Sequence, residues 1–454
     1  MKNVVFITVD SLRADYVFGT EARESLETLP RLTDDWLSFR NAFSNAPYTK
    51  QSFLSILSGT YPWMFDSEQD GYELNRPHVA EILSKHGYST AGFHTNTYLS
   101  PTYNYDRGFD YYMGRDSSDG NSGGSVTNTM YNRLVERAVA TEGLSDIIHA
   151  GYKTAGKHFG VQLGSSLYKP AEALNDAVIG WAESSSKPLF VWAHYMDVHN
   201  PYYPHQGTVS EDVSRREAIK LFHRVNEQHG DAPESDIATL ERLYRGEIQY
   251  FDRQLGDLLD RLDETLGLEN TLVVFTSDHG EAFNEKGHVF HPGSALYDEN
   301  IHVPVLIGGA GIQQGDVETP VSNVDLVATI LSEVGINPPP SITGENLSMF
   351  GAQPPSDRLV FTESFSRADG GIMVTDGRFK LIRDLDTGEE TLYDRHEEPR
   401  EVHNRLEAYP EKHDELATAI DEHIRSVGET EGQGADVEVT EDVRLQLRKL
   451  GYDE

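Results

Sequence analysis

Four short apolar runs along the chain each lead, within three residues, to an acid or a histidine. The runs are Val4–Val9, Gly87–Phe93, Pro188–Ala193 and Thr271–Phe275. Runs this apolar are typical of strands buried on both faces of a parallel sheet. Because open α/β sheets bind ligands beyond the carboxyl ends of their strands, the polar residues that follow are candidates for a functional site. Those residues are Asp10, His94, His194 and Asp278.

A short helix with a polar start is predicted within the segment NAPYTKQSFLSILSGTYP. Phe53, Ile56 and Leu57 recur at the spacing of one helix face, and Gly59 stands where a glycine commonly ends a helix. Thr49 lies just ahead of the first turn, as an N-cap residue would. Its hydroxyl would then lie beside the backbone N–H groups of a helix start, a place that binds phosphate or sulfate.

The alternation of buried strands with helical patterns predicts an α/β core in three layers, built on a mostly parallel sheet. The helical patterns include Ala171–Ser184 and the long, charged stretch Glu211–Leu266. The segment DSSDGNSGGS has the composition of a flexible linker and begins an insertion at about residues 116–169. A second linker-like stretch, Gln353–Asp357, predicts the end of the core.

The charge of the chain argues against polyanionic partners and indicates a salt-rich environment. Its 454 residues carry 74 acidic and 38 basic side chains, a net charge of −36 at pH 7. This balance argues against nucleic acid or an anionic membrane surface as a partner. Because the acids are spread along the whole chain, they suit a solvated surface that keeps the protein soluble at high salt, as in halophilic proteins.

Cysteine and long apolar segments are both missing from the sequence. With no cysteine, disulfides, thiolate metal ligands and residues derived from cysteine are excluded. No apolar run reaches the roughly 18 residues of a membrane span, and Val4–Val9 begins too early for the core of a signal peptide. We therefore expect a cytoplasmic protein with no membrane span.

The segment TKQSFLSILSG resembles the nucleophile signature of the sulfatase family, within the alkaline phosphatase superfamily. That signature, Cys/Ser-x-Pro-Ser-Arg-x-x-Leu-x-Thr-Gly, aligns Thr49 with the Cys or Ser, Ser52 with the Ser and Ile56 with the Leu. Gln51 and Phe53 replace the Pro and the Arg. The resemblance implies that Thr49 is the catalytic nucleophile, at the position where sulfatases carry formylglycine.

Two further segments resemble the metal-binding parts of this family. VVFITVDSLRADY is similar to the sulfatase N-terminus, where an Asp pair binds metal, and here the pair is Asp10 and Ser11. Asp278-His279-Gly280 resembles the second metal pair. Two carboxylates and an imidazole suit a divalent ion. We expect one divalent ion, Mn, Zn or Ca, bound by Asp10, Asp278 and His279, with the Thr49 oxygen completing the shell.

The resemblance also implies residues that contact the substrate. His199-Asn200-Pro201 matches the family's His-x-Pro, whose histidine touches the ester oxygens, and His291 approximates a lysine that contacts the ester. We therefore expect His199 and His291 to be catalytic. Further substrate-binding candidates lie near the strand ends, the metal segment and the C-terminal part of the chain. These are Arg13, His94, Asn96, His194, His288 and Lys380.

The resemblance covers nearly all of the chain apart from the insertion. It implies an alkaline-phosphatase/sulfatase-like core over residues 1–352 and a small C-terminal α+β subdomain over residues 353–454. A final amphipathic helix is predicted at Glu441–Leu450, with Val443, Leu447 and Leu450 on one face.

The residue type at position 49 decides between sulfate and phosphate esters. A hydrated formylglycine has two hydroxyls, one that attacks and one that expels sulfate, whereas Thr49 has only one. Phosphothreonine can be hydrolysed at phosphorus, but sulfothreonine would be a trap. The sequence therefore predicts a metal-dependent hydrolase of phosphate or sulfate esters, with phosphate mono- or diesters or phosphonate esters favoured, acting on a small-molecule or glycan substrate. A sulfatase, a phosphotransferase to a glycan or lipid alcohol, and a non-catalytic binding protein remain alternatives.

The net charge of −36 predicts that salt stabilises the protein. Like charges repel one another in dilute buffer and are screened at high ionic strength. We expect the midpoint of thermal unfolding, measured by scanning calorimetry, to rise steadily between dilute buffer and molar KCl. A midpoint that stays constant or falls would show that the acidic surface is balanced in another way.

Overall fold

The computed structural model describes residues 1–65, 71–73, 75–113, 169–185, 188–364 and 370–428. The predicted insertion at about residues 116–169 lies almost entirely outside the described residues, and the helix predicted at Glu441–Leu450 lies outside them as well. Within the described part of the chain, no helix combines the length and the apolar character needed to cross a membrane.

Sixteen strands and eleven α-helices are formed by the described residues. The strands are β1 (Asn3–Val9), β2 (Leu37–Phe39), β3 (Ala42–Phe43), β4 (Ser89–Phe93), β5 (Tyr111–Met113), β6 (Leu189–Tyr195), β7 (Thr271–Ser277), β8 (Ala282–Phe283), β9 (Val289–Phe290), β10 (Val305–Gly308), β11 (Gly315–Val317), β12 (Val321–Ser322), β13 (Val360–Glu363), β14 (Gly371–Thr375), β15 (Phe379–Asp384) and β16 (Glu390–Asp394). The helices are α1 (Asp15–Phe18), α2 (Thr20–Ser25), α3 (Thr28–Asp35), α4 (Thr49–Ser58), α5 (Val79–Lys85), α6 (Ala171–Ser184), α7 (Arg215–Gln228), α8 (Glu234–Leu266), α9 (Asp298–Ile301), α10 (Asp325–Glu333) and α11 (Pro410–Gly428).

The centre of the fold is an eight-stranded sheet in the order β11-β2-β10-β7-β1-β6-β4-β5. Every strand of this sheet except β10 runs in the same direction, so the prediction of a mostly parallel sheet is confirmed. The strand β1 lies between β6 and β7, with Val9 opposite Tyr195 on one side and Ser277 on the other. The side chains at these three strand ends therefore meet at one edge of the sheet.

Alternate side chains of β1 enter two separate apolar cores. Val5, Ile7 and Val9 pack with residues of α3, α6, α7 and α8 on one face of the sheet. Val4 and Phe6 pack with residues of α4, α5 and α10 on the other face. Helices on both faces give the predicted three layers, and they explain why β1 is apolar at consecutive positions rather than at alternate ones.

The helical stretch predicted at Glu211–Leu266 is two helices, α7 and α8, and not one. Gly230 and Pro233 lie in the break between them. Pro233 is the N-cap residue of α8; a proline inside a helix would remove a hydrogen bond and clash with the preceding turn. At Gly230 a side chain would meet the carbonyl oxygen of Gly287 at 2.1 Å, so the chain at the break packs closely against another loop.

A small α+β arrangement follows the core, as the sequence predicted. The strands β13 to β16 form an antiparallel sheet in chain order. The helix α11 packs on that sheet through Leu416, Ile420 and Val427, in an apolar cluster that includes Ile372 of β14 and Leu381 of β15.

Asp252 of α8 holds the start of α3 against the core. Its carboxylate accepts the backbone N–H groups of Glu27 (2.8 Å), Thr28 (3.0 Å) and Leu29 (2.7 Å), and it is buried. Because Asp252→Ala leaves three N–H groups without an acceptor, we expect it to lower the free energy of unfolding by roughly 2 to 4 kcal/mol. Urea titration followed by circular dichroism measures this loss.

Asp257→Ala on the same helix is the matched control. Asp257 is exposed and pairs only with a neighbouring surface arginine, Arg261, so we expect a change below about 0.5 kcal/mol. Equal losses in the two variants would mean that Asp252 contributes no more than a surface charge.

Candidate active site

Side chains from four separate segments meet at the carboxyl edge of the central sheet. Asp10 follows β1, and His194 lies near the end of β6. Asp278 and His279 follow β7, and Thr49 is the first residue of α4. All five side chains are buried. Their mutual interactions are therefore stronger than they would be in bulk water.

The hydroxyl of Thr49 faces the acidic side chains and does not cap its helix. Tyr48 occupies the N-cap position, with an extended backbone, and Thr49 is already helical. The predicted N-cap role of Thr49 is therefore wrong, whereas Gly59 ends the helix in the left-handed conformation as predicted. The Thr49 Oγ1 lies 3.3 Å from Asp10 Oδ2 and 3.1 Å from His279 Nε2. The hydroxyl predicted to be the nucleophile thus lies among the predicted metal ligands.

His279 is held in the tautomer that a metal ligand needs. Its Nδ1 donates a hydrogen bond to the Gly280 carbonyl at 2.8 Å, which leaves the lone pair on Nε2. That Nε2 lies 3.5 Å from Asp278 Oδ2 and 3.7 Å from Asp10 Oδ1. Burial, together with the neighbouring His291, lowers the pKa of His279 to about 3. The imidazole is therefore neutral at neutral pH, and its lone pair is directed at two carboxylates.

Asp278 has one satisfied carboxylate oxygen and one without a hydrogen-bond partner. Its Oδ1 accepts the backbone N–H groups of Ser11 (3.2 Å) and His279 (2.9 Å). Its Oδ2 is buried and accepts no hydrogen bond from the described residues. Burial and the charge of Asp10 raise the pKa of Asp278 well above its usual range. Two carboxylates buried side by side repel each other, and a divalent cation would remove that repulsion.

Two neighbouring polar side chains orient the carboxylate of Asp10. The Ser11 hydroxyl donates to Asp10 Oδ1 at 2.8 Å, and Ser11 has a left-handed backbone with φ of 62°. The Asn96 amide donates to Asp10 Oδ2 at 3.2 Å, while its own oxygen accepts the backbone N–H of Tyr98 at 2.9 Å. The structure therefore gives Asn96, predicted as a substrate-binding residue, a contact with the candidate metal ligand Asp10.

His194, also predicted to bind substrate, lies among the candidate metal ligands. Its Nε2 is 3.4 Å from Asp10 Oδ2. One ligand atom each from His194, Asp10 and Asp278 all lie within 4.8 Å of one another. On its other side, His194 Nδ1 is 3.1 Å from Thr8 Oγ1, and the ring edge packs against Phe53 with ring centroids 4.7 Å apart.

These donors fit a divalent cation. Asp278 Oδ2 and His194 Nε2 are both buried atoms without a hydrogen-bond partner among the described residues. Together with Asp10 and His279 they form a set of two carboxylates and two imidazoles around the Thr49 hydroxyl. Mixed oxygen and nitrogen donors suit Zn²⁺ or Mn²⁺ better than Ca²⁺, which prefers oxygen ligands alone.

The two predicted catalytic histidines, His199 and His291, lie beside this ligand set. The ring centroid of His291 lies 4.5 Å from that of His279 and 5.1 Å from that of His199. His199 Nδ1 hydrogen-bonds the Asn200 carbonyl, and His291 Nδ1 lies 3.0 Å from Glu281 Oε1. Burial lowers the pKa of both imidazoles, to about 4 for His291. The structure thus brings His291 next to the candidate ligand His279, and His199 next to His291.

Two of the predicted substrate-binding residues bond elsewhere. The Arg13 guanidinium pairs with Asp15 (2.8 Å) and Glu285 (2.6 Å) and donates to the Glu281 carbonyl (3.0 Å). His288 Nε2 lies 3.0 Å from the side-chain oxygen of Asn300. Their polar groups therefore hold loops around the site, and the structure does not bring them to Asp10.

Lys380 and His94 are also engaged away from the ligand set. The Lys380 ammonium is buried between Asp298 (2.8 Å) and Glu401 (2.6 Å), so it joins the C-terminal sheet to α9. His94 Nδ1 is 3.0 Å from the carbonyl of Asn96, and its ring stacks on Trp192. Both side chains are buried. Their contact with substrate stays a prediction.

Three residues that were not among the predicted site residues support the site. Glu281 accepts hydrogen bonds from the Tyr202 hydroxyl at 2.6 Å and from His291. Ser52 donates to the carbonyl of Asp278 at 2.6 Å and so fixes the segment that carries two of the ligands. The only sequence signal for Glu281 and Tyr202 is their position directly after the metal segment and after His199-Asn200-Pro201.

A buried hydroxyl lies beside a candidate cation site at the carboxyl edge of a mostly parallel sheet. This arrangement suits attack of the hydroxyl on an ester. The fold and the site define an ester hydrolase of the alkaline phosphatase superfamily. The family model Sulfatase matches residues 2–336. The chain therefore belongs to the sulfatase family.

Relatives and solved structures agree with this assignment. Choline-sulfatase of Rhizobium meliloti (strain 1021) is 23% identical over 364 residues, which cover 74% of this chain and 68% of that protein. A 2-O GAG sulfatase superposes with a TM-score of 0.69 at 17% identity, covering 98% of this chain and 96% of its own. A phosphonate monoester hydrolase from Silicibacter pomeroyi superposes with a TM-score of 0.66 at 22% identity, covering 93% of this chain and 95% of its own. These superpositions show that proteins named for sulfate and for phosphonate esters share this fold.

Loss of a ligand side chain should weaken metal binding without unfolding the protein. We expect Asp278→Asn to reduce the affinity for Mn²⁺ or Zn²⁺ by about 100-fold or more. Even substitution of a residue that only hydrogen-bonds to a metal ligand lowers metal affinity or activity roughly 10- to 100-fold. Calorimetric titration of the metal-stripped protein measures this loss. His194→Ala, assayed in the same way, tests whether His194 is a ligand.

Asp316→Asn removes the same charge from an exposed position that pairs with Arg40 and serves as the control. Its metal affinity should equal that of the unaltered protein. Wild-type affinity and stoichiometry in Asp278→Asn would refute the assignment of Asp278 as a ligand.

Proposed function

We propose that the protein hydrolyses phosphate mono- or diesters or phosphonate esters, with Thr49 as nucleophile and a divalent metal ion as cofactor. The observation that carries this proposal is the position of Thr49 Oγ1, 3.3 Å from Asp10 and 3.1 Å from His279. The hydroxyl lies at the start of α4, where backbone N–H groups have no carbonyl partner within the helix and favour anions.

The chemistry of threonine favours phosphorus over sulfur. Attack by Thr49 on a phosphate ester gives a phosphothreonine, which water can hydrolyse at phosphorus. A sulfothreonine has no second hydroxyl with which to expel sulfate, so it would accumulate. A phosphonate monoester hydrolase among the structural neighbours is consistent with this preference but does not establish it.

Asp10, Asp278, His279 and His194 would hold the metal, and we favour Mn²⁺ or Zn²⁺ because half of the donors are imidazoles. When bound, such an ion supplies Lewis-acid polarisation of an ester oxygen and favours the deprotonated hydroxyl of Thr49. Ser11 and Asn96 hydrogen-bond to Asp10, so one ligand carboxylate is fixed before an ion arrives.

His199 and His291 would act on the other side of the reacting group. Both rings are buried, with centroids 5.1 Å apart, and the ring centroid of His291 lies 4.5 Å from that of His279. Imidazoles held in place beside a reacting group can accept and return protons during ester hydrolysis. The substrate would be a small-molecule or glycan ester, because the strongly acidic surface disfavours polyanionic partners.

Sulfate ester hydrolysis is the second candidate, because the family model and the relatives are sulfatases. Turnover of 4-nitrophenyl sulfate and 4-nitrophenyl phosphate, each measured with Mn²⁺ and with Zn²⁺, separates the two candidates. Repeated turnover of the sulfate, faster than that of the phosphate, would favour the sulfatase.

Replacement of the nucleophile should remove most of the activity. We expect Thr49→Ala to fold and bind metal but to lose roughly a thousandfold or more in kcat, since it has no hydroxyl to attack the ester. Thr49→Ser keeps the hydroxyl and should retain part of the activity. Rapid quenching of the unaltered protein, followed by mass spectrometry, should detect one added phosphoryl group on the peptide that contains Thr49.

Thr239→Ala, at a partly exposed position of α8 where the hydroxyl donates to the Ser235 carbonyl, controls for the loss of a hydroxyl in general. It should match the unaltered protein in activity. If Thr49→Ala turned over phosphate esters at a near-normal rate, water would be the direct nucleophile and the argument for phosphorus from a covalent threonine would fail.

A further inference from the structure

A chain of three buried side chains runs from behind the site to His291. The Tyr202 hydroxyl donates to Glu281 Oε2 at 2.6 Å, and Glu281 Oε1 lies 3.0 Å from His291 Nδ1. All three side chains are at least nine-tenths buried. A carboxylate buried among uncharged groups is costly unless its oxygens accept hydrogen bonds, and here each oxygen has a donor.

The hydrogen bond to Glu281 determines which nitrogen of His291 carries the proton. In its ionised form Glu281 only accepts hydrogen bonds, and the proton of a neutral His291 then lies on Nδ1, with the lone pair on Nε2. Loss of the Glu281 carboxylate removes this preference for one tautomer.

Glu281 itself is rigidly held. Its backbone N–H donates to the carbonyl of Glu299 at 2.7 Å. The ring of Tyr202, which holds the second carboxylate oxygen, packs against Tyr244 of α8 with ring centroids 5.5 Å apart. The orientation of His291 is therefore set by a network that reaches into the core of the protein.

We propose that Glu281, anchored by Tyr202, is a positioning residue that keeps Nε2 of His291 ready to activate the water that releases phosphate from Thr49. This inference rests on the proposed function. The proposed nucleophile creates the need for such a base, because Thr49 cannot expel the phosphoryl group without water. The ring of His291 lies beside that of His279, which itself contacts the Thr49 hydroxyl, so the base lies close to the phosphorylated oxygen.

In the release step, water displaces the Thr49 oxygen from the phosphorus of phosphothreonine. The oxygen of water forms a bond to phosphorus while a proton of that water passes to Nε2 of His291. The bond between phosphorus and Thr49 Oγ1 breaks, and its electron pair goes to Oγ1. The proton gained by His291 then returns to Oγ1, directly or through solvent. The products are inorganic phosphate and an unmodified Thr49, ready for the next substrate.

The test uses the metal-loaded protein with 4-nitrophenyl phosphate as the probe. It separates the two half-reactions, the transfer of phosphate to Thr49 and its release to water. Stopped-flow absorbance follows nitrophenolate, which reports the attack by Thr49, and steady-state turnover reports phosphate release. We expect Glu281→Gln to keep the rate of the initial burst within about threefold while steady-state turnover falls roughly 10- to 100-fold, as for other changes that act through a neighbouring residue. Phosphate should then accumulate on Thr49.

Tyr202→Phe is the second variant, and it removes only the outer hydrogen bond. It should show the same pattern with a smaller loss, and it keeps the test decisive if Glu281→Gln does not fold. Glu264→Gln, which makes the same change at an exposed position of α8, is the matched control. Its burst and turnover should match the unaltered protein. Equal losses of burst and turnover in Glu281→Gln would overturn the proposal.

A double-mutant cycle shows whether Glu281 acts through His291. In the His291→Ala background, Glu281→Gln should cause no further loss, whereas additive losses would overturn the proposal. NMR of protein labelled with ¹⁵N-histidine gives a readout without any substrate. The His291 signals, assigned by their loss in His291→Ala, should show a protonated Nδ1 that becomes mixed in Glu281→Gln, and an unchanged tautomer would contradict the positioning role.

The failure of the proposed function is distinguishable from the failure of this inference. If the unaltered protein never carries phosphate on Thr49, the covalent mechanism and the water-activating role fall together. In that case the double-mutant cycle and the tautomer measurement still decide whether Glu281 positions His291. If phosphate is trapped on Thr49 but Glu281→Gln behaves as the unaltered protein does, the nucleophile stands and the positioning role is refuted.

Discussion

The repulsion between two buried carboxylates, those of Asp10 and Asp278, governs the arrangement of the site. Both side chains are inaccessible to water, and Asp278 has an oxygen without a hydrogen-bond partner among the described residues. Such a pair is unfavourable in a protein interior unless protons or a cation compensate the charge. A cation held there would stabilise the folded state by its own binding free energy, and it would link metal loading to folding.

The sheet makes this pairing unavoidable, because β1 and β7 are adjacent and parallel with their ends in register. The same register brings His194 of β6 to the opposite side of Asp10. The helix α4 then adds the Thr49 hydroxyl from the layer above. The proximity of the two acids to each other and to His194 thus follows from one topological fact, the order of three neighbouring strands.

Patterns along the sequence sufficed to predict the central strands and the polar residues that meet at their carboxyl ends. Asp10, Asp278 and His279 were predictable because a polar residue after a buried strand must lie at the sheet edge. The roles of His194 and Lys380 were not predictable, because each depends on partners that are distant in the sequence. Lys380 has the sequence context of a surface residue, yet its charge is buried against α9. The division of the long helix into α7 and α8 was likewise missed, although Gly and Pro marked the break.

The four-residue helix α9 has a consequence for how the molecule tolerates change. Asp298 at its start pairs with Lys380 and Arg395 of the C-terminal part of the chain. The carbonyls of the next two residues accept the backbone N–H groups of Gly280 and Glu281, directly after the metal segment. The loop that follows Asp278 and His279 is therefore held, through α9, by a part of the chain whose described residues lie outside the candidate site. If the C-terminal part were replaced by that of a relative, the loop would keep its position only if the replacement also supplied the charges that face α9.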